Sequence, residues 1–539
     1  MVMQKASTST TRIFLFILGF TSLHPTFSAA QQKTTIKLEG AKAMKNLNLG
    51  DQKIVRYIGN VRFFYDNTRV RCDSAYYSQN ENWFDAFNGV VVSQGSSNIY
   101  GDKLHYDGRT SEGRLTGKEV KMVDKDFTLV TDALDFNSKT SLAFYTTGGV
   151  ATSNDSSTLT SIKGYYNNND NLISFANKVV LKSPDGNAFT DSLSYHTKNE
   201  VAYFFGPTFI YDGKNFIYCE KGWHNRKLQQ SNFQNNAYLI SNSQKLFGEN
   251  IYYDKQNGYA RGIGNVVMVD TVNRTYFYGQ KASYWQEKEE AEITEQPYMM
   301  MIDDSDSLFL RTDKLLMITA KTGDNQKADS SYRLVKAIGR VMYYRHDIQG
   351  VCDSMIYNTR DSVLEMYGNP VMWNEANQMT ADFIRIHISN KKISQADFLG
   401  NAFISSREDS AYFSQMRGKT ILARFSDGQL TRMDITGNGQ VVYFVRDKGQ
   451  ITMVNRAEGS NVDVHIKNNK VSRVVFKQKP TSNLIPIEQV EPEDMTLKGF
   501  KWLGQLRPES KYSVIPTSLT LVPLEKGTQR RMEMMANFK

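Results

Sequence analysis

An acidic residue preceded by a small one returns along this chain at intervals that are mostly 29 or 30 residues. The series runs Asp73, Asp102, Asp132, Asp191, Glu220, Glu249, Asp313, Asp353 and Asp382. Ile162 and Gln280 stand as degenerate copies in two of the wider gaps, and the preceding residue is Cys72, Gly101, Thr131, Thr190, Cys219, Gly248, Thr312, Cys352 or Ala381. Two residues after the anchor the side chain is usually aliphatic, as at Leu104, Leu134, Leu193 and Ile251. Four residues after, it is often aromatic: Tyr77, Tyr106, Phe136, Tyr195, Tyr253, Tyr284 and Tyr357. Polar residues such as Ser74, Lys103, Lys221 and Lys314 stand between. Alternation with a period of two marks a strand with one buried face; a helix needs apolar spacings of three and four.

About 15 residues beyond each anchor lies a second signature, as in Gly59-Asn60-Val61, Gly264-Asn265-Val266 and Gly400-Asn401-Ala402. Glycine inside a strand pattern marks a bulge or bend, and turn-formers such as Asp107-Gly108 separate the two signatures. Each period of about 29 residues therefore predicts two antiparallel strands, one of them kinked. The pattern covers Ile36 to Phe476, some 15 periods with no compositional break, so residues 31–476 read as one elongated all-β, solenoid-like stack. Two interruptions, 286–307 and 319–333, read as surface loops. Six of the 11 prolines lie between Pro480 and Pro523, which sets 477–539 apart as a less regular tail.

Residues 1–30 have the make-up of a secretory signal. Lys5 and Arg12 precede the apolar run Ile13–Phe20, and Ser28-Ala29-Ala30 fits cleavage before Gln31. Removing them lowers the formal charge of +9 by two, to +7. An exported chain normally raises the question of disulfides, but the three cysteines sit in the small-residue column many periods apart. They predict free thiols and no bridge. No apolar run reaches the roughly 20 residues that a membrane helix needs.

The runs Tyr100-Gly101-Asp102-Lys103-Leu104-His105-Tyr106-Asp107 and Thr380-Ala381-Asp382-Phe383-Ile384 resemble the A-D-x-A-x-Y-D element of the organic-solvent-tolerance (OstA)-like, or LptA-like, family. Arg261-Gly262-Ile263-Gly264-Asn265-Val266-Val267 resembles its partner element, G-N-V-x-V. The resemblance covers most of residues 36–476. It implies a periplasmic, V-shaped β-jellyroll that carries lipopolysaccharide between membranes with its acyl chains inside. It also implies end-to-end stacking on inner-membrane exporter and outer-membrane translocon components of similar fold, or on further copies. The chain departs from the family by being longer than a minimal bridge subunit and by lacking the translocon's barrel-forming region, which argues against outer-membrane insertion. On this reading Tyr77, Leu104, Tyr106, Leu134, Phe136, Leu193, Tyr195, Ile251, Tyr253, Tyr284 and Tyr357 are the candidate lipid lining. Lys103, Lys221 and Lys314 are headgroup candidates, with a solvated face as their plainer role.

No enzymatic chemistry is expected. A catalytic carboxylate pair is a single constellation, whereas this acid recurs in nearly every period, so a structural use in a turn or strand edge is expected. The histidines lack metal-ligand spacing, so no metal or cofactor is expected. Gly262-Ile263-Gly264 lacks a third glycine, and no G-x-S-x-G motif occurs. The Asp-Ser-aliphatic tripeptides at Asp73, Asp191 and Asp353 match a bacterial O-glycosylation motif but coincide with the repeat. The alternatives to lipid transfer are a structural or adhesive scaffold with a filled core and a carbohydrate-active β-solenoid.

Overall fold

The computed structural model describes residues 35–516 and 525–527, apart from internal positions 50–51, 66, 126, 155, 168, 185, 212, 242–243, 303–305, 322–330, 391, 428 and 468–469. The proposed signal segment lies outside the described residues. The described residues form 36 antiparallel strands in one continuous sheet. Three short 3-10 turns near the C-terminus are the helical elements among them. Strands follow one another as a meander: Thr68–Ser78 pairs with Trp83–Gln94, which pairs with Ser97–Asp107, and so on, two strands to each period.

The two sequence signatures meet at one place in every rung. Between Trp83–Gln94 and Ser97–Asp107, Phe87 pairs with Lys103 and Val90 with Gly101, so Asn88-Gly89 together face Asp102 alone. That is a bulge, two residues against one. Both bulged residues are left-handed (φ 62° and 56°), as are Gly264-Asn265 (75° and 46°) and Gly400-Asn401 (75° and 47°). Glycine and asparagine tolerate that conformation best, which is why the signature reads Gly-Asn. The anchor acids complete the unit. Asn265 Nδ2 donates to Glu249 Oε1 at 2.7 Å, the Lys118 backbone N–H to Asp102 Oδ2 at 2.9 Å, and Arg340 to Asp313 at 2.6 Å. The recurring carboxylate is structural, as its recurrence predicted.

The bulge bends each strand into two halves, and the halves stack into two arms that face each other. Tyr65, near the end of one arm, stacks on Tyr106 of the other at 3.8 Å, and Phe63 on Phe84 at 4.5 Å. Sequence pattern assigns the kink to one strand of each pair. The register breaks in both, because a bulge in one partner bends the strand hydrogen-bonded to it.

The described part of 286–307 is not the loop expected. Glu290–Thr294 and Tyr298–Ile302 are two halves of one bent rung, both paired with Thr275–Trp285. Here Glu295-Gln296 (φ 61° and 63°) occupy the bulge in place of Gly-Asn, which hides the repeat. In the second interruption, Lys321 still pairs with Ser331, and 322–330 lie outside the described residues. Cys72, Cys219 and Cys352 are buried and unbridged. Burial pushes their thiols up to about 11, 12 and 12 respectively.

Candidate functional site: the furrow between the arms

Strand pairing carries one side chain per rung into continuous rows along the inner faces. The residues four beyond the anchors form the row nearer the open edge. It passes from Tyr77 through Phe84 to Tyr106, then through Gly113, Phe136, Ala143, Tyr166 and Ile173 to Tyr195. It continues through Ala202, His224 and Ser231 to Tyr253, Ala260 and Tyr284, and reaches Tyr357 further on. Leu104, Leu134, Leu193 and Ile251 form a second row closer to the bend, and all four are buried.

The edge row behaves differently along the molecule. In the first rungs Tyr77, Tyr106 and Phe136 are buried, and the opposite wall (Val92, Ile99, Met122, Leu129) is buried against them. The arms are closed there. Between Tyr195 and Tyr284 they close less fully: Tyr195 is half-buried, and Tyr253 and Tyr284 keep 37% and 42% of their surface exposed, although Ser231 in the same stretch is buried. The facing wall of these rungs, Ile210, Ile217, Leu239, Leu246 and Met268, is entirely apolar and only half-buried. Beyond a half-buried Tyr357, the row closes again at Ile386, Ala396, Ala423, Met433 and Val464, all buried. The furrow is thus an open trough over the middle rungs and packed shut toward either end, so that Tyr77, Tyr106 and Phe136 of the candidate lining lie in closed rungs. Two small cavities, of about 20 and 50 Å³, lie where the closed rungs give way to the open ones.

A polar contact marks that boundary. Tyr166, on the edge row, donates its hydroxyl to Asp124 Oδ2 (3.1 Å) at the tip of the opposite arm, and Phe127 meets its ring edge-on at 5.7 Å. Ser97, Ser96 and the Lys125 backbone N–H bind the same carboxylate. Burial works to raise the pKa of Asp124, but these hydrogen bonds outweigh it and hold the group below the ordinary carboxylate range.

In the open stretch the two walls are chemically unlike. The edge row carries the Tyr195, Tyr253 and Tyr284 phenols and His224, whose Nδ1 lies 3.0 Å from Ser231 Oγ. Partial burial, then the neighbouring Tyr284 and Asp254, raise the Tyr253 phenol. His224 and Tyr166 stand four residues after Glu220 and Ile162, so the column that marks the aromatic lining contains both. They were passed over because one is not aromatic and the other follows a degenerate anchor.

Lys103, Lys221 and Lys314 face outward, beside the bend and away from the open edges. Lys103 Nζ lies 5.5 Å from the Phe87 ring, and Lys314 is paired with Glu292 at 2.6 Å. Alternation thus puts all three on the outer face, with Lys314 half-buried in its ion pair.

The fold and furrow define the chain as a repetitive antiparallel β-stack of bent strands closing around an apolar groove. The pattern of the OstA-like protein family matches residues 33–191 and 165–249, and over that stretch the chain is OstA-like. None of the curated proteins compared with it matches. Among solved structures, LptH of Pseudomonas aeruginosa, titled the LptA-homologous periplasmic component of the lipopolysaccharide transport device, aligns at 15% identity. The alignment covers 25% of this chain and 79% of LptH with a TM-score of 0.15, a likeness too partial to bear on function. No helix among the described residues is long and apolar enough to cross a membrane.

Proposed function

We propose that this chain is a non-enzymatic periplasmic carrier of lipopolysaccharide on its way to the outer membrane, serving as one span of a bridge. Acyl chains lie in the trough of the middle rungs, against Ile217, Leu239 and Leu246, and the polar headgroup meets the Tyr195–His224–Tyr253–Tyr284 edge. The observation that supports this reading is the open furrow with one apolar wall and one polar-tipped edge, on an OstA-like stack. Each buried methylene contributes about 0.8 kcal/mol, so a groove of this length holds several chains without chemistry. The terminal strands Lys37–Gly40 and Ala43–Leu49 at one end, and Lys470–Lys477 and Thr481–Pro486 at the other, are each paired along one side among the described residues. Such edges suit addition of strands from exporter or translocon components, or from another copy.

Photocrosslinkers at Tyr253 and Tyr284, with Tyr106 as the closed-rung control, test the proposal in living cells. Lipopolysaccharide adducts at the first two support it. Folded protein without adducts at either site leaves the filled-core scaffold, which the closed terminal rungs favour, as the reading that stands.

A further inference from the structure

The outer face of one arm is built unlike the other surfaces of the stack. In the middle rungs Phe209, Tyr218, Tyr238, Phe247, Tyr278 and Tyr298 line up through strand pairing on the side away from the furrow. All are buried, with Tyr218 and Tyr238 rings 5.0 Å apart and Tyr278 and Tyr298 rings 4.4 Å apart. In the closed first rungs the same outer row is Arg71, Val91, Tyr100, Lys121, Val130 and Val150, of which Tyr100 and Val150 are each 42% exposed. What covers the aromatic row is the chain's own C-terminal segment.

That segment runs back along the stack. Gln415, buried to 1%, donates to the Met495 carbonyl at 2.9 Å and accepts from the Leu497 N–H at 2.8 Å. Gln378, buried to 2%, does the same with Lys501 (2.7 Å) and Leu503 (2.6 Å). Gln349 accepts two bonds from Arg507, at 2.9 and 2.6 Å. A glutamine amide offers one acceptor and two donors, so it pairs with an extended backbone as a strand would. Val514 and Ile515 then enter the cluster that holds the aromatic row. Further back, Tyr238 donates to the Lys526 carbonyl at 2.9 Å and Lys245 pairs with Glu525 at 2.5 Å.

We infer that residues 487–516 and 525–527 are a strap, anchored over the later rungs through Gln349, Gln378 and Gln415, whose far end gives the open middle rungs a second apolar core on the outside of one arm, in addition to the buried row of Leu193, Phe204, Phe233 and Ile251 between the arms. The first rungs have their aromatics between the arms, no described residue of the strap enters their core, and there the furrow is shut. The middle rungs keep Phe204, Phe233 and the edge tyrosines between the arms and carry a further row of large aromatics outboard, under the strap. A stacked repeat needs a continuous core from rung to rung. The strap lets part of that core lie beside the furrow, while the row nearest the bend stays packed within it.

Hydrogen exchange on full-length Gln349→Ala/Gln378→Ala/Gln415→Ala, resolved by strand, tests this. Protection in the strands from Val201–Tyr211 to Tyr298–Ile302 should fall at least tenfold, while Thr68–Ser78 to Phe127–Asn137 stay unchanged. Equal loss in both regions, or none, overturns the inference. If the triple variant does not fold, Val514→Asp read the same way decides, since its charge enters the aromatic row directly. The result does not depend on what the furrow carries.

Discussion

Replacing Tyr106 and Tyr253 separately by alanine distinguishes a packed interior from an open trough, although both occupy the same column of the repeat. Tyr106 is fully buried, stacked on Tyr65 at 3.8 Å, with its hydroxyl 3.0 Å from Ser138 Oγ. Removing a buried aromatic leaves a cavity and costs about 3–5 kcal/mol. The lost hydroxyl contact adds about 1 kcal/mol. Tyr253 is already 37% exposed, and trimming it leaves no enclosed void, so the cost there is about 1 kcal/mol. A stack of this length need not unfold in one step, so a single melting temperature is the wrong measure. Strand-resolved hydrogen exchange is the right one: about 4 kcal/mol corresponds to roughly a thousandfold loss of protection around Ser97–Asp107, against less than tenfold around Gln244–Asp254. Equal losses at the two sites would mean that Tyr253 lies in a closed core, and the trough would have to be abandoned.

Gly400→Ala should destabilise its rung by about 1–2 kcal/mol, because φ is +75° there and a Cβ would come within 2.4 Å of Asp382 Oδ2; retained local exchange protection would count against the bulge argument. The three thiols should resist alkylation at pH 8 until the chain is denatured. Their folded pKa values of about 11 to 12 lie above the ordinary 9.0, so their contribution to stability is present below pH 9 and lost as pH rises through about 11 to 12, which alkaline titration of unfolding checks. For Asp124 the sign is opposite: a depressed carboxylate stabilises above its unfolded pKa, and that contribution disappears as pH falls through the folded value. Asp124→Asn should flatten this acid dependence and raise exchange in Lys163–Asn167, and an unchanged acid profile would refute the assignment.

The bent-strand rung was legible because it needs chemistry that only a few residues provide: a left-handed pair, an acid to bond it, and inward alternation on either side. Wherever Gly-Asn and Asp stood, the register followed. It failed at Glu295-Gln296, where tertiary pairing imposes the same backbone on residues that do not advertise it. The inward direction of Leu104, Tyr106 and Ile251 was equally readable, since direction depends only on the period of two. Whether an inward residue is buried was not. Tyr106 and Tyr253 have the same position in the repeat and opposite environments: Tyr106 meets Tyr65 of the facing arm, whereas Tyr253 stays 37% exposed, and that depends on the opposite wall rather than on the period. The outward lysines show the same limit: alternation places them outside, but their distance from the bend decides what they can meet.

The closed rungs do not by themselves forbid a lipid from passing between the arms. Parting Tyr65 from Tyr106, or Met122 from Phe136, removes apolar contacts that an acyl chain in the gap would replace nearly area for area, so the net change per rung is small. What opposes passage is the separation that must precede the replacement. Its first step is the Tyr166–Asp124 contact, whose hydroxyl-to-carboxylate bond no hydrocarbon can reproduce. Removing that hydroxyl alone, in Tyr166→Phe, leaves the ring packed against Phe127 and should let crosslinks to lipopolysaccharide spread from the middle rungs to a probe at Phe136. A pattern still confined to Tyr253 and Tyr284 would show that the packed aromatics, rather than the bond at their boundary, set the limit of the trough.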